Sequence, residues 1–297
     1  MTKNSLISAA ARTARQKLAN RTASAVAVVI AIAWTVPTVG LFVSSIRHQD
    51  DIKKTGWWTV FSNPSLTLEN YQNVLFGSGS SGRLADYFVN SVVIALPSVL
   101  IPLALGLMAA YAFCFLEWKG KDVVFLIIFG LQIVPIQMAL IPLLKIAVSV
   151  DLNSISPFLS IWITHTIFAM PLAVFLLHNF MFEIPQELIQ AARVDGASEV
   201  SILLRVVFPL MLPGIASYAT LQFLWVWNDL LIALTFVGGN VDAAPLTVRL
   251  ANLAGTNGVG WHLLTSGAFV SMVIPLAVFF LLERYIVRGS MAGSMKG

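Results

Sequence analysis

Six long stretches without a charged residue constrain the fold of this chain more than any other feature of its sequence. Each exceeds the roughly 20 residues that one helix needs to cross a membrane. Because the hydrocarbon core holds no water, a spanning segment must satisfy its own backbone groups, as a helix does. The sequence therefore predicts an all-α membrane protein with six transmembrane helices. The stretches are residues 22–46, 87–116, 123–144, 152–182, 206–228 and 261–282.

The composition argues against a soluble protein. Of the 297 residues, 58% are hydrophobic and 11% are charged, whereas soluble domains are about 25% charged. So few charges cannot cover a water-facing globule. The first stretch is longer than the about 7–15 residues of a signal-peptide core, so we interpret it as an uncleaved anchor. No basic cluster alternates with aromatic residues, which argues against nucleic-acid binding.

The positive charges are divided unevenly between the two sides that six spans define. Twelve Lys and Arg residues lie on the side of the two chain ends, and six lie on the other side. Since positive residues are retained in the cytoplasm, both termini are expected to be cytoplasmic. The twelve are Lys3, Arg12, Arg15, Lys17, Arg21, Lys119, Lys121, Arg193, Arg205, Arg284, Arg288 and Lys296, and the six are Arg47, Lys53, Lys54, Arg83, Lys145 and Arg249.

This orientation predicts three parts of the chain. They are a cytoplasmic tail, residues 1–21, a transmembrane domain, residues 22–287, and a second cytoplasmic tail, residues 288–297. Two outer connections, residues 48–86 and 238–260, are long enough to suggest a role. Either they contact an extracytoplasmic partner, or they are plain exposed connections.

One polar segment, residues 183–209, interrupts the apolar sequence on the predicted cytoplasmic side. Its signals predict two short helices. Pro185 and Glu187 suit the first turn of one helix, Gly196 suits a left-handed stop, and Ser198 suits the N-cap of the next helix. Such a hairpin, exposed at the membrane surface, can dock onto a soluble partner. The alternative is an ordinary loop lying on the membrane.

The spacing of the apolar residues gives each helix of this hairpin one apolar side. Leu188, Ala191 and Ala192 share one helical face by their spacing, and the small residues would let another backbone approach. In the second helix the expected apolar side consists of Leu203, Leu204 and Val207.

The spacing of the hairpin resembles the EAA loop, which marks the membrane subunits of type I ABC importers. That loop reads Glu-Ala-Ala, two residues, Asp-Gly-Ala, eight residues, and Ile-x-Leu-Pro. The first Glu of the motif is Gln190 here, and this weakens any prediction of a salt bridge at position 190. Val206 and Phe208 replace Ile and Leu. The matching residues are Gln190, Ala191, Ala192, Asp195, Gly196, Ala197 and Pro209.

The resemblance extends along the chain to sugar permeases related to the maltose system, for instance in the Trp-Asn-Asp sequence at 227–229. It implies one of two dissimilar permease subunits in the cell membrane, paired with two ATPase subunits and an extracytoplasmic sugar-binding protein. ATP and Mg would be bound by the ATPase subunits, and this chain has no P-loop motif of its own. The implied ATPase-coupling residues are Glu187, Gln190, Ala191, Ala192, Asp195, Gly196 and Ala197.

A second group of residues is a candidate for the translocation path or its gate. Asp229 is an acidic residue within an apolar region. Placing an acidic side chain in a membrane costs free energy, so such a residue is treated as a candidate functional residue. Counted along one helix from Pro209, it lies about 30 Å away, near the outer end, so structural pairing is an equal alternative. Aromatic faces can bind sugar, although core packing is the favoured alternative for them. The group comprises Tyr218, Trp225, Trp227, Asn228 and Asp229.

No metal site is expected. His165 and His178 are 13 residues apart, about 20 Å along a helix, so they cannot share a metal, and we interpret them as structural histidines with satisfied hydrogen bonds.

The sequence as a whole thus predicts a transport subunit without enzymatic activity. Its substrate would be a sugar, such as an α-glucoside or another oligosaccharide. Three alternatives remain: an ABC permease for a non-sugar neutral solute, an ion-coupled secondary transporter, and a membrane scaffold.

Overall fold

The computed structural model describes residues 21–77, 83–238, 240, 242–254 and 260–294, the last eleven by their backbone. Within these ranges every regular element is helical, and the one extended pairing is an isolated bridge between Arg47 and Leu66. The all-α class is therefore confirmed. Parts of the predicted tails and of both long outer connections, including the glycine/serine stretch at 78–82, lie outside the described residues.

Fifteen α-helices are described, with two 3-10 turns, Trp57–Phe61 and Leu131–Ile133, and a π-turn, Leu203–Val207. They are α1 Arg21–Ser45, α2 Gln49–Lys54, α3 Glu69–Phe76, α4 Leu84–Phe115, α5 Lys121–Gly130, α6 Ile136–Ser149, α7 Leu152–Ile155, α8 Leu159–Phe182, α9 Gln186–Val194, α10 Glu199–Ile202, α11 Phe208–Leu210, α12 Leu212–Trp227, α13 Leu231–Phe236, α14 Leu246–Ala254 and α15 Trp261–Ser294.

Four of these helices are long and apolar enough to cross a membrane, namely α1, α4, α8 and the first part of α15. The other two predicted spans are bent pairs, with a 102° angle between α5 and α6 and a 78° angle before α12. The described chain thus has four spans, or up to six if each bent pair is counted as one. The first bend has a local cause, because Val134 is extended and a residue before proline disfavours the helical conformation.

The same effect shortens the fourth predicted span. Ser156 precedes Pro157 and is extended, so α8 begins at Leu159 and the residues from 152 form the separate short helix α7.

The described residues form two compact units, of which the first lies within residues 1–73 and 260–269. Its polar centre is Arg47, whose side chain is 1% exposed. The guanidinium donates to the Gly56 carbonyl and the Thr59 hydroxyl at 3.1 and 2.9 Å. Asn70 donates to the Arg47 carbonyl at 2.7 Å. Arg47, which the sequence indicated only as an outer charge, thus organises the turn after α1.

The second unit consists of the described residues within 74–259 and 270–297 and contains the polar hairpin. Its centre is the packing of α4 against α8 and α12. Gly106 allows the closest approach, because a Cβ at this position would lie 2.7 Å from the Cβ of Ala173. Trp162 and Gln222 add hydrogen bonds from α8 and α12 to carbonyls of α4. The polar hairpin therefore belongs to a unit whose helices are closely packed.

Candidate functional site

The polar segment 183–209, called the hairpin from here on, forms the two helices that its sequence predicts. Helix α9 ends at Val194, and Gly196 has φ +81°. The Gly196 N–H donates to the Arg193 carbonyl and the Ala197 N–H to the Ala192 carbonyl, both at 3.0 Å. This is a Schellman motif, in which glycine takes the left-handed position without steric cost.

The second half of the hairpin begins at its predicted N-cap. The Ser198 hydroxyl accepts a hydrogen bond from the Ser201 N–H at 3.3 Å, and α10 follows. The chain then widens into the π-turn before α11. Pro209 lies in α11, so the straight part of the next span starts at Leu212 and not at the proline.

Burial in the hairpin follows the apolar spacing only in part. The inward residue of α9 is Ile189, which is 1% exposed, and Ile202 and Val207 are fully buried. Leu188 and Leu204 are instead exposed, at 46% and 57%. The spacing of the apolar residues thus defines a face on each helix, and the structure shows that these two leucines point outward.

Polar contacts fasten the hairpin to the end of α4. Arg193 donates from Nε and Nη2 to the two carboxylate oxygens of Glu199 at 2.8 and 3.1 Å, and from Nη2 to the Phe115 carbonyl at 2.9 Å. The Tyr111 hydroxyl donates to the same carboxylate. The hydrogen bonds to Glu199 raise the pKa of Arg193, so its charge persists. Sequence reasoning missed this network, since only the charges of Arg193 and Glu199 were visible.

The outer surface of α9 and the following turn is free of these contacts. Glu187, Gln190, Ala191, Asp195 and Gly196 are exposed, while Ala192 and Ala197 are half-buried against the core. Leu188 and Val194 add exposed apolar area, with Val194 at 87%. The structure thus brings the predicted coupling residues together on one small protrusion that combines apolar and acidic groups.

Asp229 lies beyond the end of α12 and caps the next helix. Its carboxylate accepts hydrogen bonds from the N–H groups of Ile232 and Ala233 at 3.3 and 3.0 Å. The Nε2 atom of His165 lies 3.9 Å from the carboxylate and has no hydrogen-bond partner among the described residues. Both residues line a cavity of about 10 Å³, about enough for one water. The sequence analysis expected His165 to have its hydrogen bonds satisfied. This was wrong, because no described protein atom is a hydrogen-bond partner of its Nε2.

His178 departs from that expectation at one ring nitrogen, although its side chain has a hydrogen bond with Asn179. Its Nδ1 is buried without a hydrogen-bond partner in the part of the chain that is described, and its ring packs between Phe125 and Phe182.

The aromatic candidates separate into two environments. Tyr218 and Trp227 are buried, and the Trp227 Nε1 donates to the Ser271 carbonyl at 3.1 Å, as the packing alternative predicts. Trp225 is 40% exposed and lines a cavity of about 330 Å³ beside the bend between α5 and α6. Gln132 lines the same cavity, although the sequence analysis did not single it out. Asn228 is exposed, and the five candidates do not form one site.

These features can be compared with known proteins. Residues 78–289 match the family described as binding-protein-dependent transport system inner membrane component. The chain belongs to this family. The predicted membership among type I ABC importer permeases, and the predicted multi-pass membrane location, are thereby confirmed.

Two relatives of the permease cover most of its length. It is 47% identical to the osmoprotective compounds uptake permease protein GgtD of Synechocystis, over 90% of this chain and 89% of that protein. It is 42% identical to the alpha-glucoside transport system permease protein AglG of Rhizobium meliloti, over 89% and 70%.

The fold is also shared with a solved structure. A chain of a bacterial ABC transporter involved in the import of alginate matches with a TM-score of 0.67 at 19% identity, over 91% of this chain and 96% of that chain. This likeness supports the helical permease fold.

Proposed function

We propose that this chain is a permease subunit of an ATP-driven importer for neutral sugars such as α-glucosides or other oligosaccharides. The hairpin carries this proposal. It presents exposed acidic and apolar side chains on a base that is tied to α4 by Arg193 and filled by buried Ile189 and Ile202. A partner ATPase that pushes this protrusion would move the helices beneath it.

The family match and the charge distribution support the proposed assembly. The hairpin and both tails, residues 1–21 and 288–297, face the cytoplasm, where the excess of Lys and Arg resides. In this assembly two ATPase subunits bind ATP and Mg on that side. A dissimilar second permease completes the pathway, and an extracytoplasmic sugar-binding protein delivers the substrate. The outer connection at 238–260 would meet that binding protein.

The substrate class is proposed from the cavity beside Trp225. Its volume of about 330 Å³ and its lining by the two aromatic rings of Phe168 and Trp225, one amide and apolar groups suit a neutral polyhydroxyl compound. An ionic substrate would require charges that this cavity lacks among its described lining residues. The names of AglG and GgtD point to α-glucosides and to osmoprotective compounds, so a small non-sugar neutral solute is the second candidate.

The test is reconstitution of the complete complex in liposomes with ATP inside. The proposal expects that binding protein loaded with a neutral disaccharide stimulates ATP hydrolysis and sugar uptake together, and that a charged disaccharide does neither. Trp225→Ala should lower uptake, while Trp118→Ala, an exposed tryptophan away from the cavity, serves as the control. Uptake by this chain alone, driven by an ion gradient, would overturn the proposal.

A further inference from the structure

Helix α4 connects the hairpin with the segment that leads into α14. At its end, Tyr111 and the Phe115 carbonyl bind Glu199 and Arg193 of the hairpin. Near its start, the Ser91 hydroxyl accepts a hydrogen bond from the Leu246 N–H at 2.7 Å. Asn90 also donates to the Ala244 carbonyl at 3.1 Å.

The geometry points to α4 as the element that carries a signal between these two ends. We propose that Tyr111, Arg193 and Glu199, called the anchor network, are positioning residues that transmit displacement of the hairpin through α4 to the residues before α14. This inference rests on the proposed function, because it concerns how the ATPase side and the binding-protein side of the same importer communicate.

The contacts of the anchor network suit this role. Residues 115 and 193 are 78 positions apart, so the covalent chain does not force α4 to follow the hairpin. The hairpin is covalently continuous with α8 and α12 instead. Arg193 bonds a terminal carbonyl of α4, which lacks a helical partner, and its charge suits the negative end of the helix dipole. The bidentate pair with Glu199 fixes the direction of the guanidinium within the hairpin, and the Tyr111 hydroxyl gives the Glu199 carboxylate its own contact with α4.

The other end of α4 is held equally closely. Ser91 is 4% exposed and Leu246 1% exposed, so their hydrogen bond is shielded from water. From Ser91 to Tyr111 helix α4 continues through Pro97 and Pro102 and spans about 30 Å at 1.5 Å per residue. A continuous helix held at both ends moves both ends together, whereas separate loops would not.

The experiment uses the reconstituted complex and measures how strongly sugar-loaded binding protein stimulates ATP hydrolysis. Tyr111→Phe and Ser91→Ala each remove one hydroxyl, one at each end of α4. Each should reduce the stimulation about threefold or more, in the range of substitutions along a coupling network. Arg193→Lys, which keeps the charge but loses the planar fork, should act in the same direction.

The decisive measurement is the double variant Tyr111→Phe/Ser91→Ala. Distant sites that act independently have additive effects. If the double variant loses no more stimulation of ATP hydrolysis than either single variant, the two ends of α4 act in the same coupling step. The control is Thr220→Val, which removes a buried hydroxyl that donates to Ala216 of its own helix at 2.8 Å, and which should combine additively with Tyr111→Phe. Thermal unfolding of each variant verifies that it is folded.

The outcomes separate the two proposals. If the wild-type complex shows no stimulation by the binding protein, the proposed function is overturned and this inference with it. If the wild-type complex is stimulated and the single variants are stimulated equally, or the double variant is additive, the inference alone is overturned.

Discussion

The Nη2 atom of Arg193 lies 2.9 Å from the backbone oxygen of Phe115, which is the last residue of α4. This contact gives the hairpin a fixed attachment to a helix that is distant in sequence. The same guanidinium pairs with Glu199 across the turn of the hairpin. One side chain thus stabilises the hairpin internally and joins it to the membrane helices, while leaving its outer face available.

Any side chain at Gly196 should destabilise the turn. A Cβ there would meet no atom within 4 Å, so the whole cost lies in the backbone at φ +81°. We expect Gly196→Ala to lower the free energy of unfolding by about 1–2 kcal/mol and to lower ATP-driven uptake. Gly196→Pro should uncouple transport, because it also removes the hydrogen bond to the Arg193 carbonyl.

Gly130→Ala is the matched control for this turn. A Cβ at position 130 would likewise meet no atom within 4 Å, but the φ of Gly130 is −61°. Thermal unfolding in detergent should show no loss of stability for this variant. Equal losses at the two glycines would contradict the backbone explanation.

Two adjacent residues of α9 should separate folding from docking. Ile189 is buried, so Ile189→Ala should lower the free energy of unfolding by about 2–5 kcal/mol. Leu188 is 46% exposed, and Leu188→Ala should leave unfolding nearly unchanged while weakening the binding of purified ATPase subunits. If both substitutions affect unfolding alone, the exposed face of α9 is not the docking surface.

The parts of the hairpin that the sequence predicted correctly depend on local chemistry. Gly196 and Ser198 act on backbone groups a few residues away, so their spacing carries the information. The direction of the apolar faces was not predictable in the same way. Whether Leu188 or Ile189 points inward depends on where α4 and α8 lie, and these helices belong to other parts of the sequence.

The position of Asp229 shows a second limit. The distance counted from Pro209 assumed one continuous helix, but the chain bends at Met211 and α12 ends at Trp227. The carboxylate then finds free N–H groups at the start of α13. The bend at Met211 depends on tertiary packing as well as on sequence. Hydropathy indicates only that the region is apolar.

The contact between α4 and α8 should be intolerant of added volume. A Cβ at position 106 would lie 2.7 Å from the Ala173 Cβ and 3.3 Å from its carbonyl carbon. Gly106→Ala should therefore destabilise the protein by about 1–3 kcal/mol, measured as thermal unfolding of the purified permease. Ala173→Gly in the same chain should restore part of this loss. A Gly106→Ala variant as stable as the wild type would exclude a close approach at this point.

The role of Asp229 can be decided by removing its charge and its hydrogen bonds separately. Asn keeps an acceptor for the N–H groups of α13, so Asp229→Asn should retain most of the ATP-driven uptake. Asp229→Ala loses the cap and should cost about 0.5–2 kcal/mol of stability. Uptake is measured with and without a proton or sodium gradient across the liposome. If Asp229→Asn abolishes uptake, and if the wild type requires such a gradient, the carboxylate carries an ion and the ATP-driven mechanism is wrong. If uptake persists without such a gradient, the charge of Asp229 is not needed for transport, and its side chain serves to cap α13.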